Sequence, residues 1–198
     1  YTGEDTLSLH DALPILHRVG IRPRLTQRPA MREQAVEGLD VADSSDQPHR
    51  SVQRVTDDDR AACARVFFHA VREGAAEFYN EAQRNAWAPT PEPDYEDPDK
   101  LMDQWCWVAE RGPQTVGFMS LDHTGYLDMA FVLPSEMGKG TARALYDTLL
   151  AKAHAKQLPR LTVIASHLAR RFFLARGWAV DRPEDLAADG EIYKVFHM

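Results

Sequence analysis

The most informative stretch of the chain is Val132-Leu-Pro-Ser-Glu-Met-Gly-Lys-Gly-Thr-Ala142. An apolar strand pattern ends at the proline, a turn of small residues follows, and an amphipathic helix begins. The first N–H groups of a helix have no intrahelical partner, and Gly138 and Gly140 carry no side chain that would block an approaching phosphate. The segment therefore predicts a diphosphate-binding turn; a glycine-containing helix start without a ligand is the open alternative.

Two better-known glycine motifs do not match this turn. In a P-loop the lysine follows the second glycine, whereas Lys139 lies between the two glycines. A dinucleotide-binding fingerprint needs a third glycine, and Arg143 stands at that position. The sequence thus favours a phosphate site of neither kind.

On both sides of the turn, the hydrophobic pattern predicts strands and helices in close succession. The predicted strands are residues 51–55, 105–110, 115–121, 126–132, 161–165, 178–180 and 192–197. The predicted helices run from the Thr56 cap to about Glu73 and over residues 78–87, 99–103, 138–156 and 167–176. A proline-rich acidic loop containing Glu92, Asp94, Glu96, Asp97 and Asp99 separates the second helix from the second strand. Three consecutive, closely spaced strands indicate an antiparallel meander.

The first fifty residues lack a sustained hydrophobic period. The segment Asp5-Thr-Leu-Ser-Leu-His-Asp-Ala-Leu-Pro-Ile15 resembles a translated sequencing-library adapter, although a real amphipathic leader is the alternative. Residues 16–50 are polar and predict a disordered lead-in. We therefore expect an artefactual or disordered extension over 1–50 and one domain over 51–198; the native start stays open, with Met31 as one candidate.

Three motifs together resemble the GNAT superfamily of acyl-CoA N-acyltransferases. The first is Val-x-Pro followed by Met137-Gly-Lys-Gly-Thr-Ala142, where Met137 replaces the usual Gln or Arg. The second, Ser166-His-Leu-Ala-Arg-Arg-Phe-Phe-Leu-Ala-Arg-Gly-Trp178, is similar to the family's Asn-x-x-Ala-x-x-Phe-Tyr-x-x-x-Gly-Phe helix. The third, Tyr79-Asn-Glu-Ala-Gln-Arg-Asn-Ala-Trp-Ala-Pro89, is similar to the Tyr-x-x-x-Gln-x-x-x-Trp-Ala-Pro of a bacterial GNAT subgroup.

The resemblance implies an α/β (α+β) GNAT fold. Its mixed, mostly antiparallel sheet of about seven strands has helices on both faces and a splayed central strand pair that admits the pantetheine arm. It also implies acetyl-CoA as cosubstrate. The implied cofactor-binding residues are Phe131, Val132, Met137, Gly138, Lys139, Gly140, Thr141, Ala142, Arg143, Ser166 and Phe173. Phe173 stands where many members have a tyrosine that protonates the leaving thiolate, so the usual general acid is missing.

Candidates for catalysis are Asp128, Tyr126 and Tyr79. Asp128 is either a base or a solvent-facing aspartate, and strand alternation places it on one face with Tyr126 and Ala130. Tyr126 is an acid or a wall of the site, and Tyr79 is a substitute acid or a surface tyrosine. Trp87 and Trp105 line an acceptor pocket or fill the core.

Composition limits the partners and the location. A net charge of −7 disfavours a nucleic-acid surface, and the apolar runs are too short and interrupted to span a membrane. The two cysteines predict buried free thiols. We expect a cytoplasmic monomer or homodimer that acetylates a small-molecule amine. The alternatives are an enzyme with a protein acceptor and a non-catalytic acyl-CoA-binding or protein-interaction module.

Overall fold

The structure, a computed structural model, describes residues 50–92 and 99–198. The strands in these ranges are β1 (Arg50–Arg54), β2 (Trp105–Arg111), β3 (Gln114–Leu121), β4 (Leu127–Val132), β5 (Ile164–Ala165), β6 (Arg182–Ala188) and β7 (Glu191–His197). The α-helices are α1 (Arg60–His69), α2 (Glu81–Trp87), α3 (Lys100–Asp103), α4 (Thr141–Ala155) and α5 (His167–Leu174). A π-helical turn, Ala70–Gly74, extends α1, and short 3-10 turns precede α1 and α4.

The strands form two antiparallel groups that meet at one point. Neighbours in the first group follow the order β1-β2-β3-β4, and those in the second follow β5-β7-β6. Within the part of the chain that the structure describes, one parallel bridge, Tyr126 with Thr162, joins the groups, and Leu127 N–H donates to the Thr162 carbonyl at 2.8 Å. Beyond this bridge β4 pairs with β3 and β5 pairs with β7, so the two strands separate.

Helices cover both faces of the first group of strands. Met119 on β3 packs with Leu145 and Leu149 of α4 in one buried cluster. The neighbouring residue on β3, Phe118, lies with Val66 of α1 in another. Successive side chains on a strand point to opposite faces, so α1 and α4 lie on opposite sides. The predicted α+β fold, with about seven strands and two helical layers, is confirmed.

Several predicted element bounds were wrong. Helix α4 begins at Thr141 rather than at Gly138, because Gly138 and Gly140 adopt positive φ angles of 78° and 82° that end the turn before the helix. Helix α2 begins at Glu81 rather than at residue 78, because the Asn80 side chain accepts from the Gln83 N–H and caps it.

The predicted strand 178–180 is also wrong, and the strand of this region is β6. Trp178 contributes the apolar signal of this segment without lying in a strand. Its side chain packs against the cluster that contains α4, where its Nε1 donates to the Tyr146 hydroxyl at 2.8 Å. Strand β6 is an edge strand whose side chains are exposed or only half-buried, so it lacks the apolar signal that marks a strand.

Two predictions concern residues outside the described ranges: the extension over 1–49 and the central part of the acidic loop, 93–98. Within the described ranges, no helix combines the length and apolar character needed to cross a membrane. Cys63 and Cys106 are free and buried as expected, and burial raises the pKa of Cys63 to about 12.

Candidate functional site

A cleft that is partly open to solvent lies where β4 and β5 separate. Its walls come from both strands, α5, β7 and the segment that includes α2. The lining residues are Tyr79, Trp87, Leu127, Asp128, Ala130, Phe131, Val163, Ile164, Ser166, Ala169, Phe173, Tyr193 and Val195. The cleft is therefore a direct result of the incomplete pairing between the two groups of strands.

The cleft lies between two separate hydrophobic clusters. Leu127 and Phe173 belong to the cluster that contains α4, whereas Tyr79, Trp87 and Tyr193 belong to the cluster beneath α2. All five line the same cleft. The opening thus lies between the cluster that contains α4 and the cluster beneath α2.

A β-bulge places Asp128 in this cleft. On β3, Ser120 pairs with Met129 and Leu121 pairs with Leu127, so Asp128 is an extra residue without an opposite partner on β3. The bulge overturns the predicted alternation, because Tyr126 packs against the cluster beneath α2 while Ala130 packs against the α4 cluster.

Asp128 is 1% exposed, which rules out a solvent-facing aspartate. Gln104 Nε2 donates to Asp128 Oδ2 at 2.8 Å, and Lys100 Nζ lies 3.8 Å from the same oxygen. Both partners come from α3 and the residue that follows it. A buried carboxylate needs such hydrogen-bonding and charged partners, so these residues hold Asp128 in position.

Helix α5 presents one face to the cleft. Ser166, Ala169 and Phe173 are spaced by three and four residues and all line it. The Ser166 hydroxyl accepts from the Ala169 N–H at 3.2 Å and caps the helix. The structure therefore places the predicted Ser166 and Phe173 together with Asp128 and Phe131 around one cavity.

The glycine turn lies beyond the end of β4. Residues 137–140 are exposed, and a Cβ built on Gly138 would meet nothing within 4 Å. The first backbone bond of α4 runs from Ala144 N–H to the Gly140 carbonyl, so the N–H groups of Thr141, Ala142 and Arg143 precede it. An anion can approach this turn without a steric barrier.

The buried side chain of Glu136 holds the glycine turn in place, and the sequence did not predict this role. Its carboxylate is 4% exposed and accepts two bonds from Arg111, at 3.0 and 2.7 Å, and one from the Thr141 hydroxyl at 2.8 Å. Lys139 Nζ lies 3.5 Å away. The Arg111 hydrogen bonds, with Thr141 and Lys139 adding to them, lower the pKa of Glu136. The only signal in the sequence was an acid beside the motif, with no indication of its distant partner.

Comparison with known proteins agrees with this geometry. Residues 69–190, more than half of the chain, match the acetyltransferase (GNAT) domain family. The chain belongs to the GNAT family. The uncharacterized N-acetyltransferase YafP of Escherichia coli (strain K12) is 34% identical over 137 residues, which are 69% of this chain and 85% of YafP.

Solved GNAT structures share the fold. A GCN5-related N-acetyltransferase (aminotransferase, class-II) from Rhodopseudomonas palustris superimposes with a TM-score of 0.68 at 26% identity, covering 79% of this chain and 98% of that one. PaiA N-acetyltransferase from Thermoplasma acidophilum, solved with coenzyme A, gives a TM-score of 0.58 at 14% identity and covers 75% and 98%. YncA from Salmonella typhimurium, solved with acetyl-CoA, gives 0.54 at 19% identity and covers 75% and 91%.

The match to GNAT N-acetyltransferases confirms the predicted enzyme class. The expectation of acetyl-CoA is confirmed for the family, whose solved members include complexes with coenzyme A and acetyl-CoA. The residues of this GNAT domain fit such a cosubstrate. Strand β4 borders the cleft and leads into a glycine turn that has open space at Gly138.

The tyrosines of this GNAT domain occupy different environments. Tyr79 is 4% exposed, lines the cleft and donates its hydroxyl to the Lys194 carbonyl at 3.0 Å, so it is not a surface residue. Burial raises its pKa. Tyr193, which sequence reasoning missed, lines the same wall, and burial raises its pKa to about 12.

Tyr126 and Trp105 do not line the cleft. Burial, together with the charges of Asp128 and Asp122, raises the pKa of Tyr126. Trp105 packs against His123, with a ring centroid distance of 4.6 Å. Trp87 does line the cleft, so only one of the two predicted tryptophans belongs to the pocket.

Proposed function

We propose that this GNAT domain transfers the acetyl group of acetyl-CoA to the amine of a small molecule by direct attack in a ternary complex. A new bond forms between the amine nitrogen and the acetyl carbon, the carbon–sulfur bond breaks, and the amine proton passes to Asp128. The observation that carries the proposal is one buried carboxylate in the cleft that lies where β4 and β5 separate.

The glycine turn supports the binding of the donor. A diphosphate placed over Gly138 and Gly140 would meet the free N–H groups at the start of α4. Lys139 and Arg143 are 53% and 75% exposed and add positive charge there. Met137 offers no polar side chain, so the backbone and these two cations supply the binding.

The backbone of β4 supports polarisation of the thioester. Leu133 N–H donates to the Val116 carbonyl of β3 at 2.9 Å. Successive amides of a strand point to opposite neighbours, so the Val132 N–H faces the open side and the Phe131 N–H faces β3. A backbone N–H on this strand can stabilise the oxyanion that forms on the thioester, and of these two residues geometry favours Val132.

A base is required because the acceptor amine is protonated at neutral pH. An alkylamine has a pKa of about 10.4, which lies roughly 3 units above pH 7. Forming the neutral amine at pH 7 therefore costs about 4–5 kcal/mol. Asp128 is the acidic side chain among the residues that line the cleft. It takes the proton directly or through a water.

The proton for the leaving thiolate has two candidate sources. Phe173 has none to give, and it is fully buried. Tyr79 and Tyr126 remain the predicted donors, and Tyr79 is favoured because it lines the cleft. Its hydroxyl would have to leave the Lys194 carbonyl to reach the sulfur.

Acetyl-CoA binding is the first test, by isothermal titration calorimetry of a Gly138→Asp variant. The added carboxylate repels the diphosphate, and we expect at least a tenfold weaker Kd. Gly190→Asp is the matched control, because Gly190 has a φ of 75° and its Cβ would also meet nothing within 4 Å. Equal affinity in both variants would remove the turn from the site.

The base is tested separately with Asp128→Asn. We expect kcat/KM to fall at least a hundredfold at pH 7 and its pH dependence to change on the acidic side, because an amide cannot accept the proton. Acetyl-CoA affinity should stay within about threefold of the wild type. A pH–rate profile identical in shape to that of the wild type would contradict the role.

A further inference from the structure

We infer that the acceptor is a hydrophobic monoamine with an aromatic body: one positive charge on an otherwise uncharged molecule. This inference rests on the proposed acetyl transfer and names its substrate class. It follows from the side chains that line the α2 side of the cleft and from the groups that are absent among them.

Three aromatic rings form the wall on this side. The centroid of Tyr79 lies 5.4 Å from that of Trp87 and 6.0 Å from that of Tyr193, and Trp87 and Tyr193 are 5.9 Å apart. All three side chains are at least 94% buried. Such a wall offers edge and face contacts to a planar ring, and each pair is worth about 0.5–1.5 kcal/mol beyond its buried area.

The polar atoms of this wall are mostly occupied. The Tyr79 hydroxyl donates to the Lys194 carbonyl, and the Tyr193 hydroxyl donates to the Gln83 carbonyl at 2.9 Å. The Ser166 hydroxyl caps α5. An acceptor that carries several hydroxyl groups, such as an aminosugar, would therefore bury groups that find few partners, which is costly.

The charge of the lining also excludes other amines. Asp128 is the one ionisable acid among the lining residues, and none of them is a lysine or arginine. Lys100 Nζ lies 3.8 Å from Asp128 Oδ2 and already pairs with this carboxylate. The carboxylate of a free amino acid would therefore meet Asp128 with no unpaired cation beside it, and the second ammonium group of a polyamine would meet no unpaired acid among the lining residues. A monoamine, which attacks in its neutral form, adds no charge that the site leaves unmatched.

Trp87 supplies one further contact. Its Nε1 is buried and has no hydrogen-bond partner among the described residues, although the side chain lines the cleft. A buried donor without a partner costs about 1–3 kcal/mol, so an acceptor atom on the substrate would be stabilised there. A ring oxygen substituent, such as a methoxy group, supplies that atom.

The substrate class is tested with a panel in which kcat/KM is measured from released CoA. Phenethylamine and phenylalanine differ only in the carboxylate, and spermidine and glucosamine represent the other classes. We expect phenethylamine to exceed each of the three at least tenfold. A higher kcat/KM for any of the three would overturn the inference and leave the proposed acetyl transfer standing, whereas no transfer to any amine would overturn both.

The Trp87 contact is tested with Trp87→Phe, which removes the N–H and keeps a ring. Methoxyphenethylamines substituted at each ring position are compared with phenethylamine. In the wild type we expect at least one of them to be preferred about tenfold, and we expect the variant to lose this preference. Acetyl-CoA affinity, measured by calorimetry, should be unchanged. Equal preference in the wild type and the variant would contradict the contact.

Discussion

Glu136 illustrates how a single buried carboxylate can shape a site made largely of backbone. It joins Arg111 at the end of β2 to Thr141 at the start of α4, with the glycine turn between them. Arg111 is 18% exposed on its side chain, so the pair is only partly screened by water. The turn is thus fixed by contacts from outside its own segment.

Replacing Glu136 by Gln should therefore weaken both stability and donor binding. A hydrogen bond to a charged group contributes about 1.5–3 kcal/mol, and we expect a loss of this size in the free energy of urea unfolding at pH 7. Acetyl-CoA affinity should fall at the same time. Glu77→Gln, at a carboxylate 71% exposed, is the control and should change neither quantity.

The pH dependence of this effect has a defined sign. Because the pKa of Glu136 is lowered in the folded state, its contribution is fully present above the unfolded value of about 4.3 and is lost as the pH falls through the lower folded value. The stability difference between wild type and Glu136→Gln should therefore shrink below about pH 4. A difference that stays constant down to pH 3 would show that the charge is not involved.

Residue-level prediction is most informative where a motif fixes the local spacing. Ser166 and Phe173 belong to one helical signature, and the structure places both on the cleft wall. Tyr193 and Gln104 were not predicted, because their roles depend on contacts with residues far away in the sequence. Spacing along one helix is local information, whereas the partner of a buried polar group is not.

At the level of elements, Gly117 on β3 marks the closest approach of three parts of the fold. A Cβ there would lie 2.9 Å from Val132 Cγ1, 3.1 Å from the Phe131 carbonyl oxygen and 3.2 Å from Leu145 Cδ1. Strand β4 and helix α4 can pack this tightly on β3 only because the residue has no side chain.

The Gly117→Ala variant should unfold at a lower urea concentration, with a loss of about 1–3 kcal/mol, because the methyl group meets the short, branched side chain of Val132 and the backbone carbonyl of Phe131, and neither can turn away. Gly74→Ala is the matched control. Its Cβ would meet the terminal methyl of Met137 at 2.7 Å, and that flexible end can turn away. Similar losses in the two variants would contradict this account.

Strands were mispredicted where apolar residues did not mark the strand. Strand β6 is exposed at a sheet edge, whereas the apolar residues just before it fill the core without forming a strand. The bulge at Asp128 was also missed, since nothing in the sequence of the strand marks an extra residue and only the pairing with β3 reveals it.

At the scale of the whole molecule, the cleft separates two groups of strands that share one bridge. A ligand that contacts both sides should therefore stabilise the native state against unfolding. At a hundred times its Kd, such a ligand adds about 2.7 kcal/mol.

For a domain of this size we expect acetyl-CoA at that concentration to raise the Tm by about 5–10 °C. Differential scanning calorimetry measures the shift. The Gly138→Asp variant should show a much smaller shift at the same concentration, and Gly190→Asp should behave as the wild type does. An equal shift in all three proteins would mean that acetyl-CoA acts elsewhere.

The bulge has a consequence for the length of β4. Leu127 and Ala130 both face α4 although three positions separate them, because Asp128 shifts the phase of the strand by one residue. Deletion of one residue from β4 would restore a regular alternation of side chains along the strand. The side chains of one half of the strand would then point to the opposite face of the sheet. We therefore expect substitutions in this strand to be tolerated far more readily than a change of one residue in its length.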